Sequence, residues 1–435
     1  MIPNNQPDTE TRFRRLTEAI KFVYASTFFN NAKSYIRTTP HDLKKEKMAV
    51  IIQEVVGLRH YERYYPNISG VGRSYNFYPT GHALPEQGVV NLALGLGKTI
   101  VDGGSVWTYS PAYPEANPPY NSIKELLKQT QVDFWAVNMG KPPAFDPAKE
   151  TEYMVKSSLY DAEYDNTLAE VASTYDYEAD RVNIGTAAKG PRLVNFAPVL
   201  QTERIPLNRL IKSLLSLCEE TFQAKVEIEF ALTIDPMQRD TVRFGLLQVR
   251  PMAISQEVIE IKEEELTPGS VLTASDNVMG NGSVDCIQEV LYVSPETFQL
   301  KDTRAIAAEI TGFNRELVAA KVPYLLIGFG RWGSSDPWLG IPVQWGQISG
   351  SRVIVEAQLP GGSIDLSQGS HFFHNISNLG VLYFSIAMSG RYPIDWKWLG
   401  EQQVIKKGKY LTQVHLASPL AIKVDGRKRK GVIFK

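Results

Sequence analysis

The residues best suited to chemistry lie in two short segments, Val226-Glu227-Ile228-Glu229-Phe230 and Leu247-Gln248-Val249-Arg250-Pro251. Alternate side chains of a strand share a face, so Glu227 and Glu229 point one way and Ile228 and Phe230 the other. Gln248 and Arg250 share a face in the same manner, with Leu247 and Val249 opposite. Asp235-Pro236 and a polar stretch separate the segments and predict an antiparallel hairpin. Paired in that way, two carboxylates, an amide and a guanidinium converge on one surface. Hard oxygen ligands suit a divalent cation, and an arginine fork suits a phosphate. The same spacing also serves a cross-strand salt bridge on a solvated face, where ion pairs are common and weak. Spacing leaves both readings open.

A second concentration of chemistry lies near the C-terminus. Gly328 to Trp345 (GFGRWGSSDPWLGIPVQW) places Arg331, Ser334 and Ser335 among glycines that let backbone approach an anion. Trp332 and Trp338 can wall such a site or plug a core. In SQGSHFFHNI, Ser367 to Ile376, His371 and His374 share a helical face, without a third metal ligand in view. Arg331, Ser334, Ser335 and His371 are the candidate lining of a second anion site. The loops bearing them would meet at one edge of an α/β layer, or lie far apart, each serving only its own turn; sequence leaves both readings open.

The positioning elements can be read from periodicity. Leu207 to Phe222 predicts a helix, with Leu207, Leu210, Ile211, Leu214, Leu215 and Cys218 in one stripe. Arg15 to Ile36 predicts another, on Leu16, Ala19, Ile20, Val23 and Tyr24. The opening MIPNNQPDTETRF, with its prolines and asparagines, predicts a loop. Met48 to Val56 and Val89 to Leu94 are dense in β-branched residues and predict buried strands. Asn166 to Thr174 predicts a short helix, and the proline-rich span from Ser110 to Asn121 an extended loop. Glu257 to Pro268 predicts a strand passing into an acidic linker. Beyond it, strands at Gln288 to Val293, Tyr324 to Gly328 and Arg352 to Glu356, with a helix at Thr303 to Ala319, predict an α/β or α+β layer. Asp425-Gly426 marks a turn between two further strands.

In their order along the chain, several segments resemble the nucleotide-binding domain of the phosphoenolpyruvate synthase and pyruvate phosphate dikinase family, an ATP-grasp fold. They are RLTEAIKFVYASTFFNNAKSYI (Arg15 to Ile36), KMAVIIQEVV (Lys47 to Val56), ISGVGRSYNFYP (Ile68 to Pro79), VVNLALGLGKTIVDGG (Val89 to Gly104), and the run from Pro206 through VEIEFAL to GLLQVRPM. The resemblance implies ATP and Mg2+ as ligands. It makes Glu229 and Gln248 metal-coordinating, Glu227 an acidic nucleotide-site residue and Arg250 the catalytic arginine facing the phosphates. It places Gln53, Val55 and Val56 at the adenine. Gly95-Leu96-Gly97-Lys98-Thr99 is not a P-loop, because that motif needs a glycine where Leu92 stands. The resemblance reaches only the second half of the family's ATP-grasp domain; its phosphate-binding lysine and Arg-Ser-Ser element have no counterpart ahead of Arg15.

The expected organisation is α+β. Residues 1–14 form a loop or tail, and 15–256 an ATP-grasp C-terminal half with antiparallel or mixed sheet, helices and a divergent insert at about 105–200. Residues 257–268 are an acidic linker, and 269–435 a second α/β domain. The expected function is the nucleotide-binding portion of a dikinase-like phosphotransferase, cut from a longer protein and inactive in isolation. Its expected partners are ATP, pyruvate or another phosphoryl acceptor, and the missing N-terminal half. The alternative is a non-catalytic nucleotide- or anion-binding regulatory module. At 435 residues and 43% hydrophobic content the chain can bury real cores. A net charge of -1 provides no field for nucleic acid. No apolar stretch is long enough for a membrane span. Two cysteines far apart, Cys218 and Cys286, fit a reducing, cytoplasmic setting.

Overall fold

Glycines at two points of one short strand set the packing of the first sheet. Strand β1 (Ile68–Arg73) carries Gly70 and Gly72, and a Cβ at Gly70 would fall 2.1 Å from the Phe230 ring. The ring fills the space the missing side chain leaves. Around β1 the computed structural model builds a five-stranded antiparallel sheet with β2 (Val89–Ala93), β3 (Trp107–Tyr109), β4 (Val226–Ile234) and β5 (Val242–Pro251), in the order β5-β4-β1-β2-β3. The structure describes the chain apart from residues 1–2, 30–46, 77–78, 80–81, 102–103, 118–122, 124–125, 128–129, 142–152, 203, 236–240, 253–258, 268, 334–339, 359–379, 389 and 427.

One face of the sheet is the core. Val226, Ile228, Phe230, Leu232 and Ile234 of β4 pack with Leu207, Ile211, Leu215 and Cys218 from one stripe of helix α2 (Leu207–Phe222). Two smaller sheets share this core. One is four-stranded, from Leu58–His60, Arg63–Tyr65, Asp133–Asn138 and Met154–Ser158; the other three-stranded, from Arg192–Val194, Ala172–Asp176 and Arg181–Ile184. The segment read as a helix at Asn166 to Thr174 is thus a 3-10 turn, Leu168–Glu170, followed by a strand. Ser173, Thr174 and Tyr175 find ladder partners there, and cross-strand pairing overrides the weak helical signal.

Three further expectations differ from the structure. Helix α1 (Thr9–Ser26) starts six residues before Arg15, within the expected loop, because Asp8 caps it: its carboxylate accepts the Thr11 amide at 2.8 Å. The rest of the predicted helix, from residue 30, lies outside the described residues. Residues 48–56 form no strand and Ile51 and Ile52 are exposed, although their β-branched composition suits one. Their tie to the sheet runs through side chains rather than a backbone ladder. The described part of 257–268 holds no strand but a 3-10 turn, Glu263–Glu265.

The chain divides into two compact units, Met1–Thr27 with Met48–Met252, and Phe28–Lys47 with Ala253–Lys435. The second unit is built on a nine-stranded mixed sheet. Its strands are β6 (Val271–Ser275), β7 (Val278–Met279), β8 (Gly282–Val293), β9 (Tyr324–Phe329), β10 (Ser351–Ala357), β11 (Leu382–Ile386), β12 (Gln403–Lys407), β13 (Leu411–Asp425) and β14 (Lys430–Phe434). The order is β6-β14-β13-β8-β9-β10-β11-β7, with β12 on β13. Strands β8, β9, β10 and β11 run parallel, and helix α3 (Thr303–Ala319) makes the crossover from β8 to β9. The acidic turn docks on this sheet: Glu263 pairs with Lys430 at 2.9 Å and Glu265 with Lys423 at 3.4 Å. Among the described residues no helix is long and apolar enough to cross a membrane.

Candidate functional site

The face of the first sheet opposite α2 carries the polar residues. Glu227 stands directly across from Arg250 on β5 and Arg73 on β1, and Glu229 directly across from Gln248. The period-2 reading therefore brings all four hairpin residues to one face. Arg73, at the end of β1, joins them; sequence reasoning missed it. An arginine closing a run of small apolar residues was the available signal.

Glu227 is 4% exposed and Arg73 2%. Arg73 Nε donates to Glu227 Oε2 at 2.5 Å, and Arg250 Nε donates to Oε1 at 2.6 Å. Glu227 thus gives one oxygen to each guanidinium. Arg73 Nη1 donates to Asn91 Oδ1 at 3.1 Å, and Asn91 Nδ2 donates to Thr108 Oγ1 at 2.8 Å. The resulting polar ladder, Arg250-Glu227-Arg73-Asn91-Thr108, crosses all five strands. Burying ions costs several kcal/mol each unless they are paired, and the ladder provides that pairing. Burial still holds the Arg73 pKa below the usual arginine value, opposed by Glu227.

Glu229 and Gln248 are placed differently. Glu229 is half-buried and Gln248 exposed. Burial first, and then the neighbouring Glu227 charge, push the Glu229 pKa above the usual carboxylate value; Arg250 and Arg73 oppose them. A partly desolvated carboxylate facing an amide suits a cation. No group of three or more His, Cys, Asp and Glu side chains converges among the described residues. Two oxygen ligands fit Mg2+, which takes one or two carboxylates and completes its shell with water and phosphate oxygens.

A β-bulge lies beside the pair, between Glu229 and Phe230, where Leu247 is the extra residue. Bulges re-aim side chains and increase local twist. Gln53 Nε2 donates to the Leu247 carbonyl at 2.9 Å, and Tyr64 Oη donates to the Val55 carbonyl at 2.9 Å. Val56 lies over Gly245, where a Cβ would fall 2.6 Å from its Cγ2. Gly245 is opposite Ala231, two residues along β4 from Glu229 and on the same face. The segment with Gln53, Val55 and Val56 therefore runs beside the cation-suited pair.

The sequence matches the family of the pyruvate phosphate dikinase AMP/ATP-binding domain over residues 9–268. The chain belongs to this family. Its match takes in the whole five-stranded sheet, and the pyruvate phosphate dikinase domain makes the first unit a nucleotide-binding portion of the AMP/ATP class. A comparison with curated proteins finds no match. The Gly-rich turn after β2 serves packing: Leu96 N donates to the Trp135 carbonyl at 2.8 Å, and Lys98 Nζ stands 5.9 Å from the Trp135 ring.

In the second unit, Arg331 follows β9 at the carboxyl end of a parallel strand. Trp332 is 1% exposed and donates its indole N–H to the Val355 carbonyl at 3.1 Å, so it plugs the core. Ser334, Ser335 and His371 lie outside the described residues, as do Trp338 and His374.

Proposed function

We propose that the polar face of the five-stranded sheet holds the phosphates of ATP together with a magnesium ion, as the nucleotide-binding portion of a pyruvate phosphate dikinase-like phosphotransferase. The observation that carries this reading is the cross-strand placement of Glu229 against Gln248, beside Glu227 against Arg250. Glu229 and the Gln248 carbonyl hold the cation, and the cation neutralises phosphate charge when bound. Arg250, whose side chain is 39% exposed, presents its guanidinium to a phosphate. Glu227 does not ligate; it is the buried counter-ion that fixes Arg250. Val55 and Val56 flank the purine, and Gln53 holds their segment to the bulge.

Phosphoryl transfer depends on positioning and charge neutralisation from several sides. These residues grip from one sheet face, so the chain holds ATP with a dissociation constant on the order of millimolar, about 4 kcal/mol of binding. By itself it does not pass a phosphoryl group to pyruvate. Incubation with ATP, Mg2+ and pyruvate, followed by 31P NMR, is expected to show shifted ATP resonances and no AMP, phosphate or phosphoenolpyruvate. Product formation would establish a complete transfer site and contradict this part of the reading.

A further inference from the structure

The nucleotide reading leaves Arg73 without a task, and this inference rests on that reading. Arg73 is almost fully buried, yet it stands on the proposed ligand face and ends β1 directly beside Glu227. Its Nε holds one Glu227 oxygen and its Nη1 holds Asn91, while Nη2 has no hydrogen-bond partner among the described residues. Arg250 holds the other Glu227 oxygen. Were Glu227 paired with Arg250 alone, the two charges would cancel and the exposed arginine would offer a phosphate little. With Arg73 on the second oxygen, two guanidiniums share one carboxylate and one positive charge is left over. Of the three side chains, only that of Arg250 is substantially exposed.

We propose that Arg73 is a positioning residue of the phosphate site: by sharing Glu227 it leaves the Arg250 charge available to a phosphate and keeps Glu227 from competing for the cation at Glu229 and Gln248. Arg73 acts through Glu227 and Arg250 and does not itself touch the nucleotide.

The test is a 31P NMR titration of MgATP against the full chain and its Arg73→Met, Arg73→Lys and Gln248→Ala variants. Arg73→Met is expected to weaken MgATP binding about tenfold and Arg73→Lys no more than about threefold, the scale of one charge-assisted contact. Recovery of binding in Arg73→Lys, which keeps the charge without the planar guanidinium, separates lost charge from lost packing. A cooperatively folded Arg73→Met chain that binds like the wild type overturns the proposal, as does an Arg73→Lys chain as weak as Arg73→Met. If Arg73→Met does not fold, Arg73→Lys decides, and about tenfold weaker binding by it overturns the proposal. Binding that Gln248→Ala abolishes and Arg73→Met leaves intact sinks only this inference. No binding by the wild-type chain sinks the nucleotide reading and this inference together.

Discussion

At the scale of residues, the site sets stability against function. The Glu229 pKa is raised by burial, so the folded chain holds this proton more tightly than the unfolded chain does. Its contribution to stability is fully present below the unfolded carboxylate pKa and is lost as pH rises through the raised folded value. Once ionised, Glu229 is a burden on the fold. Glu229→Gln is accordingly expected to raise the urea midpoint at pH 7 while losing magnesium-dependent ATP binding. A lowered midpoint would show that the carboxylate stabilises the sheet. Glu227 is the opposite case. Glu227→Ala strands Arg73 in the core, and urea denaturation should show a loss of about 3–5 kcal/mol, the cost of breaking a buried pair; a loss below about 1 kcal/mol, the level of a surface pair, would contradict its role as anchor. The convergence of Glu227, Glu229, Gln248 and Arg250 was legible because a strand's period is two. Arg73 was not, because its partner lies 154 residues away in sequence and no local period connects them.

Among the elements, legibility followed how strongly a segment commits itself. Helices α2 and α3 were read with their limits, since each has a long apolar stripe and packs it on a sheet. Residues 48–56 have strand composition but no ladder partner, and composition cannot supply one. The bulge had a readable signal: Leu246-Leu247 are adjacent apolar residues where alternation demands one of each kind. Strand β1 provides a prediction at this scale. Gly70→Ala would drive a Cβ into the Phe230 ring, and the resulting overpacking should cost about 1–3 kcal/mol in urea denaturation. Since Phe230 directly follows Glu229 at the bulge, the same variant should also weaken MgATP binding. An unchanged urea midpoint would mean that the ring moves aside freely.

For the whole molecule, the net charge of -1 leaves no general field to gather a polyanionic ligand, so any ATP affinity must come from local groups. The order of segments along the chain was enough to place it in its family, because the strands that carry the site recur in sequence as recognisable runs. The second unit was legible as alternating strand and helix, but not in the order of its nine strands. That order depends on returns such as β13 pairing with β8, which period and turn signals do not encode. Its proposed anion site rests on Arg331 alone among the described residues. The central claim belongs to the first unit: a cation held between Glu229 and Gln248 joins ATP to the sheet. Its most direct test is the ATP dissociation constant of the full chain, of Glu229→Gln and of Gln248→Ala, each with magnesium and with EDTA. The account predicts binding that needs magnesium in the wild type and is weakened about tenfold or more in both variants, with no remaining response to the metal. Equal affinity with and without magnesium, or variants that bind MgATP as the wild type does, would contradict it.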